Sequence, residues 1–263
     1  APPRAGRWPE GDSVDATAPA LAALLADESL AGPGMRALVV LHRGRIVAER
    51  YGDGFTAATP LLGWSMTKTV TAALVGTLVR DGHLDITRDG LFTAWTGDAR
   101  RGIAAAHLLS MSSGLSFNAS YGSVSDVTRM LYLEPDMAAF ARQQPLAQPV
   151  GTAFNYASGS SVLLARLWQD AVPGGAALAW PRQALFGPLG MHSAVMEADA
   201  RGTYVGSSYM YATARDWARF ALLLLQDGQW QGQALLPADW VARMRAPSTA
   251  APQDYSQAQM WLH

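Results

Sequence analysis

Ser65 and Lys68 stand three residues apart, in Ser65-Met66-Thr67-Lys68, at the head of a long apolar stretch. A serine hydroxyl is a weak nucleophile until a base takes its proton. Lysine can be that base only as a neutral amine. Unlike arginine, it loses its proton readily when desolvated. Lys68 is the only lysine among the 20 basic residues of the chain, so arginine serves at every other Lys/Arg position. That usage fits a requirement for a titratable amine. A chance lysine in an arginine-rich composition explains the Ser-x-x-Lys pattern equally well when the pattern stands alone.

The surrounding elements favour the first explanation. Val70, Leu74 and Leu78, with Val75 and Val79 alongside, recur at helical spacing and predict a helix over residues 67–80, stopped by Asp81-Gly82. Ser65 then lies in the first turn, and Lys68 stands one turn along the same face. A mostly apolar helix of this length is expected to be buried. Burial and the positive end of the helix dipole both lower a lysine pKa from its usual value of about 10.4. A tyrosine phenolate can take or relay a proton as well. Tyr156-Ala157-Ser158 lies downstream in Phe154-Asn155-Tyr156-Ala157-Ser158-Gly159, although Tyr-x-Ser alone is equally well a core or loop aromatic beside a serine.

Around these residues the pattern predicts an irregular arm over residues 1–12, a helix over 16–30 ended by Gly32-Pro33-Gly34, and a β-hairpin of 36–42 and 45–51 turning at Arg43-Gly44. Short helices are expected at 107–111, 127–133 and 136–142, with a loop over 116–125 and another over 145–151. An apolar helix spans 159–171, ended by Pro173-Gly174-Gly175. Thr213 reads as an N-cap with Asp216 as its capping-box partner, opening a helix to Asp227. A short helix at 237–244, a loop at 246–254 and a strand at 257–262 complete the expectation.

Composition limits the alternatives. With 263 residues, 49% of them hydrophobic and 16% charged, the chain can form one large domain or two closely packed ones. A net charge of −1 gives no electrostatic reason to expect nucleic acid or an anionic membrane as partner. No apolar run approaches the length of a membrane-spanning helix. The absence of cysteine excludes disulfides, thiolate catalysis and cysteine-held metals. There is no Gly-x-Ser-x-Gly elbow, no P-loop and no Gly-x-Gly-x-x-Gly. His42, His83, His107, His192 and His263 show no metal-ligand spacing, so each is read as structural and no metal or organic cofactor is expected. The chain begins at Ala1 on a Pro/Arg-rich lead, which reads as a mature end after signal-peptide removal or as a trimmed end. Export to a periplasmic or extracellular compartment is the expectation, with the cytoplasm left open.

Three segments in order carry a family resemblance. Gly63-Trp64-Ser65-Met66-Thr67-Lys68, His107-Leu108-Leu109-Ser110-Met111-Ser112-Ser113-Gly114-Leu115 and Tyr156-Ala157-Ser158 resemble those of class C β-lactamase-related serine hydrolases. That group includes penicillin-binding DD-peptidases, esterases and 6-aminohexanoate-dimer hydrolases, and the last two are the nearest in flavour. The stretch from Gly206 to Trp217 resembles a helix entry of the same group. The resemblance implies an α/β (α+β) fold with an antiparallel sheet flanked by helices and a helical subdomain. It places 1–64 and 205–263 in the α/β part and 65–204 in the mainly helical part, with a cleft between them. It implies Ser65 as acylated nucleophile, Lys68 as general base and Tyr156 as proton relay. Ser158 would line the cleft, Tyr121 would contact substrate, and the Ser65 backbone N–H would be one oxyanion donor.

The substrate implied is a small ester, amide or peptide. A penicillin-binding sensor or non-catalytic binding module of the same fold is the alternative, and a helical domain with coincidental motifs is a third. The family's third motif, Lys-Thr-Gly or His-x-Gly on a strand beside the cleft, is not in this sequence. The expectation is therefore that further strands, which would pair with the 36–51 hairpin, lie outside these residues.

Overall fold

The computed structural model describes residues 4–262; the first three residues of the predicted arm and His263 lie outside it. Two short helices, α1 (Pro19–Ala26) and α2 (Glu28–Ala31), precede a hairpin of β1 (Ala37–His42) and β2 (Arg45–Tyr51). β3 (Pro60–Leu62) leads into α3 (Met66–Arg80), followed by α4 (Ala105–Leu109), α5 (Asp126–Leu133), α6 (Met137–Gln143), α7 (Ser158–Ala171) and the single turn α8 (Gly187–Leu189). β4 (Val195–Met196) and β5 (Met210–Thr213) come next, then α9 (Ala214–Leu225) and the small hairpin of β6 (Gln229–Trp230) and β7 (Gln233–Ala234). α10 (Trp240–Arg245) and a last hairpin of β8 (Pro247–Ser248) and β9 (Ala251–Ser256) follow. Every strand pair among these is antiparallel, so the fold is mixed α and β with antiparallel sheets and helices around them.

The β1–β2 hairpin turns through Arg43 and Gly44 at φ 48° and 74°, the left-handed pair that matches strand twist in a two-residue turn. Among the described residues it gains no third strand; α9 packs on β1 and α1 on β2. The sheet that bears on the site is the three-stranded one, ordered β3-β5-β4. It anchors the chain just before Ser65, because β3 runs antiparallel to β5 with Leu62 opposite Tyr211.

α3 is buried almost all round, from Thr67 and Lys68 through Leu78. A helix apolar on every side has to be packed on every side, and α3 meets α7 and the 181–186 turn, while the Trp240 ring lies against Gly76. Each of Val70, Leu74, Val75 and Leu78, all fully buried, contributes roughly 1.5–3 kcal/mol by leaving water. The buried Gln259 fastens these helices: its backbone carbonyl accepts from Thr69 Oγ1 at 2.9 Å, its Oε1 accepts from Ser161 Oγ at 2.7 Å, and its Nε2 donates to Leu108 O at 3.1 Å.

Gly206 crosses close to α3 and α7. A Cβ there would stand 2.6 Å from Thr71 Oγ1, 3.0 Å from Ala165 Cβ and 3.3 Å from Ser161 O. Overpacking of this kind typically costs about 1–3 kcal/mol. Gly206→Ala is therefore expected to lower the urea midpoint of unfolding with the m-value unchanged.

The structure corrects three sequence expectations. The 16–30 helix is two helices, because Asp27 adopts extended backbone and its carboxylate accepts from the Ser29 N–H, which opens a new helix instead of continuing the old one. Thr213 does cap α9 by accepting from the Asp216 N–H at 3.3 Å, but Asp216 does not reciprocate. Its carboxylate accepts instead from Ser193 Oγ at 2.6 Å and from Arg219 at 2.6 Å, and Ser193 Oγ takes the Thr213 N–H. The C-terminal reading is reversed: residues 246–254 belong mostly to the β8–β9 hairpin, while 257–259 turn, with Gln259 at φ 62°. Pro247 and Pro252 look like strand breakers, yet in a two-stranded ribbon the missing N–H can face outward.

Candidate active site

Ser65 sits at the head of α3, held by a strained turn. Trp64 before it has φ 44°, a left-handed conformation that costs an L-residue roughly 1–2 kcal/mol. The turn is fixed from outside. The Gly63 N–H donates to Met210 O at 2.8 Å, and a Cβ on Gly63 would stand 2.5 Å from the Trp217 ring. Ser65 remains exposed, and its side chain makes no helix-cap hydrogen bond. Its hydroxyl is thus free for other chemistry.

Lys68 lies one turn in and is 2% exposed. Its Nζ is 3.3 Å from Ser65 Oγ, 3.3 Å from Ser158 Oγ and 2.9 Å from Ser207 O. Burial alone pushes the amine down to about 7, so the neutral form is well populated at neutral pH. A neutral amine has two hydrogens and one lone pair. Ser207 O can only accept, so it takes one hydrogen. Ser158 Oγ can take the other, and the lone pair is left for the Ser65 hydroxyl proton. The three partners therefore match the valence of the uncharged form.

Ser158 is the first residue of α7 and is 5% exposed. The segment before it is held by the turn around Met111, which has φ 57°. The Asn155 N–H donates to Met111 O at 2.8 Å, the Ala157 N–H meets Met111 Sδ at 3.4 Å, and Asn155 Nδ2 donates to Phe117 O at 3.2 Å. That is the physical use of the His107–Leu115 stretch: it positions residues 155–158. His107 itself is structural, its Nδ1 accepting the Ala104 N–H at 3.0 Å.

Tyr156 meets the lysine through its ring. Nζ is 5.0 Å from the ring centroid. Its hydroxyl makes no hydrogen bond to Lys68 or Ser65 among the described residues. Tyr255 and Trp261 pack on the same ring at centroid distances of 5.7 and 5.0 Å. Tyr121 also comes to the site. Burial and the neighbouring Tyr132 push its phenol up, and the nearby polar side chain of Ser158 draws it partly back. All five residues singled out from sequence thus converge: Ser65, Ser158 and Tyr156 directly on Lys68, and Tyr121 through Ser158.

Sequence reasoning missed the Ser207 carbonyl, which leaves no trace in residue type. It also missed Tyr132 and Tyr209, which approach Tyr121, and the Tyr255–Trp261 pair. An excess of aromatics in segments flanking motif residues was the only signal for these. Among the described residues no group of three His, Cys, Asp or Glu side chains could hold a metal, and no helix is long and apolar enough to cross a membrane.

A serine and a desolvated lysine at the head of a buried helix, beside a small antiparallel sheet, define a serine β-lactamase-like α+β protein. The chain belongs to the Beta-lactamase family, which matches residues 22–260. A Bacillus anthracis structure assigned to the 6-aminohexanoate-dimer hydrolases superposes with a TM-score of 0.75 at 22% identity, over 87% of this chain and 65% of that one. A Bacteroides dorei structure assigned as a β-lactamase does so with a TM-score of 0.71 at 23% identity, over 89% and 71%. For the penicillin binding protein from Bacillus halodurans the TM-score is 0.67 at 17% identity, over 86% and 79%. These likenesses are of fold. The chain thus spans just under two thirds of the first of these structures. No curated protein matches the sequence significantly.

Proposed function

We propose that the protein is a serine hydrolase that cleaves an ester or amide bond through an acyl-enzyme on Ser65. The observation that carries this reading is the buried Lys68 amine, pushed down to about 7 and 3.3 Å from an exposed serine hydroxyl. Ser65 Oγ attacks the carbonyl carbon while its proton passes to Lys68, and the Ser65 backbone N–H serves as one donor to the developing oxyanion. Collapse of the tetrahedral intermediate breaks the bond to the leaving group, which departs with a proton returned by Lys68 or relayed through Tyr156. Water then attacks the acyl-enzyme, giving up its proton to the same base, and Ser65 is regenerated. The substrate would enter a cleft between the helical part, 65–204, and the strand-bearing parts, 1–64 and 205–263.

The proposal is tested by turnover of a p-nitrophenyl ester, with quenched samples digested and weighed. The expected result is an acyl adduct on the peptide containing Ser65, together with continued release of p-nitrophenol. Because the folded pKa of Lys68 is depressed, the active neutral amine exists above it. kcat/KM should rise with pH through about 7 and be lost as pH falls. A stable adduct without turnover would point to an acylated sensor instead. A rate flat from pH 5.5 to 8.5 would remove Lys68 as the base.

A further inference from the structure

Aromatic side chains from separate segments gather beside Trp64, the residue before Ser65. Trp64 meets Tyr209 edge-on, with ring centroids 6.1 Å apart. Tyr209 lies within electrostatic reach of Tyr132, Tyr121 and Glu197. Tyr121 lies within electrostatic reach of Ser158, Ser158 contacts Lys68, and Lys68 returns to Ser65. Three phenols and an indole thus gather on the side of the site that Trp64 opens beside Ser65.

Tyr209 packs partly against the core, but the other three rings are not spent on it. Trp64, Tyr121 and Tyr132 are 45%, 58% and 60% exposed, and Met66 beside Ser65 is 52% exposed. Large apolar side chains gathered in the open around a reactive group mark a ligand surface. Burial, with Tyr132 next, pushes the Tyr209 phenol up, which keeps it uncharged at neutral pH. None of the four aromatic residues carries a cation, the Lys68 amine is buried at 2% exposure, and the exposed Glu197 carboxylate acts on Tyr209. An anionic group brought against this wall gives up hydration without gaining a counter-charge from it. An alkyl or aryl group gains by leaving water.

On the reading that Ser65 is acylated, we infer that Trp64, Tyr132 and Tyr209, with Tyr121, form the acyl-group subsite, and that it selects uncharged alkyl or aryl acyl groups over those bearing a carboxylate. The test compares p-nitrophenyl hexanoate with the p-nitrophenyl monoester of adipic acid, which has the same chain length and a terminal carboxylate. p-Nitrophenyl acetate, with the shortest acyl group, is the reference. For the full chain, kcat/KM on hexanoate should exceed that on the adipate monoester by about 10-fold or more. Tyr132→Ala, at an exposed position that the fold tolerates, should cut the hexanoate-to-acetate ratio about 10-fold, and Tyr132→Phe should retain most of it. Glu197→Gln should raise turnover of the adipate monoester selectively.

Equal rates on hexanoate and adipate, or a hexanoate-to-acetate ratio unmoved by Tyr132→Ala, overturn the inference while acetate turnover and fluorophosphonate labelling of Ser65 leave the hydrolase reading standing. No turnover of any ester and no labelling of Ser65 overturn both.

Discussion

Ser65→Ala is expected to lower kcat for ester hydrolysis by about 10⁶-fold, with the melting temperature within a degree or two of the parent. The size of the effect follows from the chemistry, since without Oγ no acyl-enzyme forms and only binding and oxyanion stabilisation remain. The unchanged stability follows from the structure. Ser65 precedes α3, but its side chain caps no backbone N–H, so removing the hydroxyl removes no helix cap. The variant also decides between two serines. Ser158 Oγ lies at the same 3.3 Å from the Lys68 amine as Ser65 Oγ does. Distance alone does not choose between them, but access does: Ser65 is exposed, and Ser158 is 5% exposed at the start of α7. Ser158→Ala should therefore leave an acylatable enzyme with a mispositioned amine. If Ser65→Ala kept activity within 10-fold of the parent, the nucleophile would lie elsewhere, and Ser158 would be the next candidate.

The parts of this site legible in the sequence are those where residue type and local period act together. α3 announces itself because Val70, Leu74 and Leu78 recur at helical spacing, and that spacing puts Ser65 and Lys68 on one face. Burial of the amine follows from the same apolar pattern, since such a helix has no polar side to turn to water. The hairpin β1–β2 is legible for a similar reason, with Arg43-Gly44 supplying the left-handed turn. What is lost is tertiary. The Ser207 carbonyl is a backbone atom delivered by Gly206, whose missing side chain lets the segment close on α3. Gln259 reads as an ordinary polar residue near the end of the chain, yet it ties α3, α4 and α7 together from a buried left-handed position. The β8–β9 ribbon is masked by its prolines. Local patterns thus reveal which groups are reactive, while contacts distant in sequence determine the electrostatic setting that makes them so.

Lys68→Arg is the more demanding substitution, because it keeps a basic side chain of similar reach and removes the ability to lose a proton. It is expected to lower kcat/KM by about 10⁴- to 10⁶-fold and to destabilise the fold. In the parent, burial is tolerable because the amine can shed its charge, the folded pKa having fallen from 10.5 to about 7. The cost of burying the amine is fully present below about pH 7, fades as pH rises towards 10.5, and is absent above it, because in that window the unfolded chain holds a proton that the folded chain does not. A guanidinium has no such window and stays charged at every accessible pH. Its contacts would be two hydroxyls and one carbonyl, with no carboxylate among them. Lys68→Met separates the two consequences: it should be as inactive as the arginine variant yet fold at least as stably as the parent below pH 7, with that advantage shrinking at higher pH. The measurement is a urea midpoint for all three proteins at pH 6 and pH 9, alongside ester turnover. An arginine variant that was active, or as stable as the parent at both pH values, would show that the amine works in its charged form, and the base would have to be sought among the phenols around it.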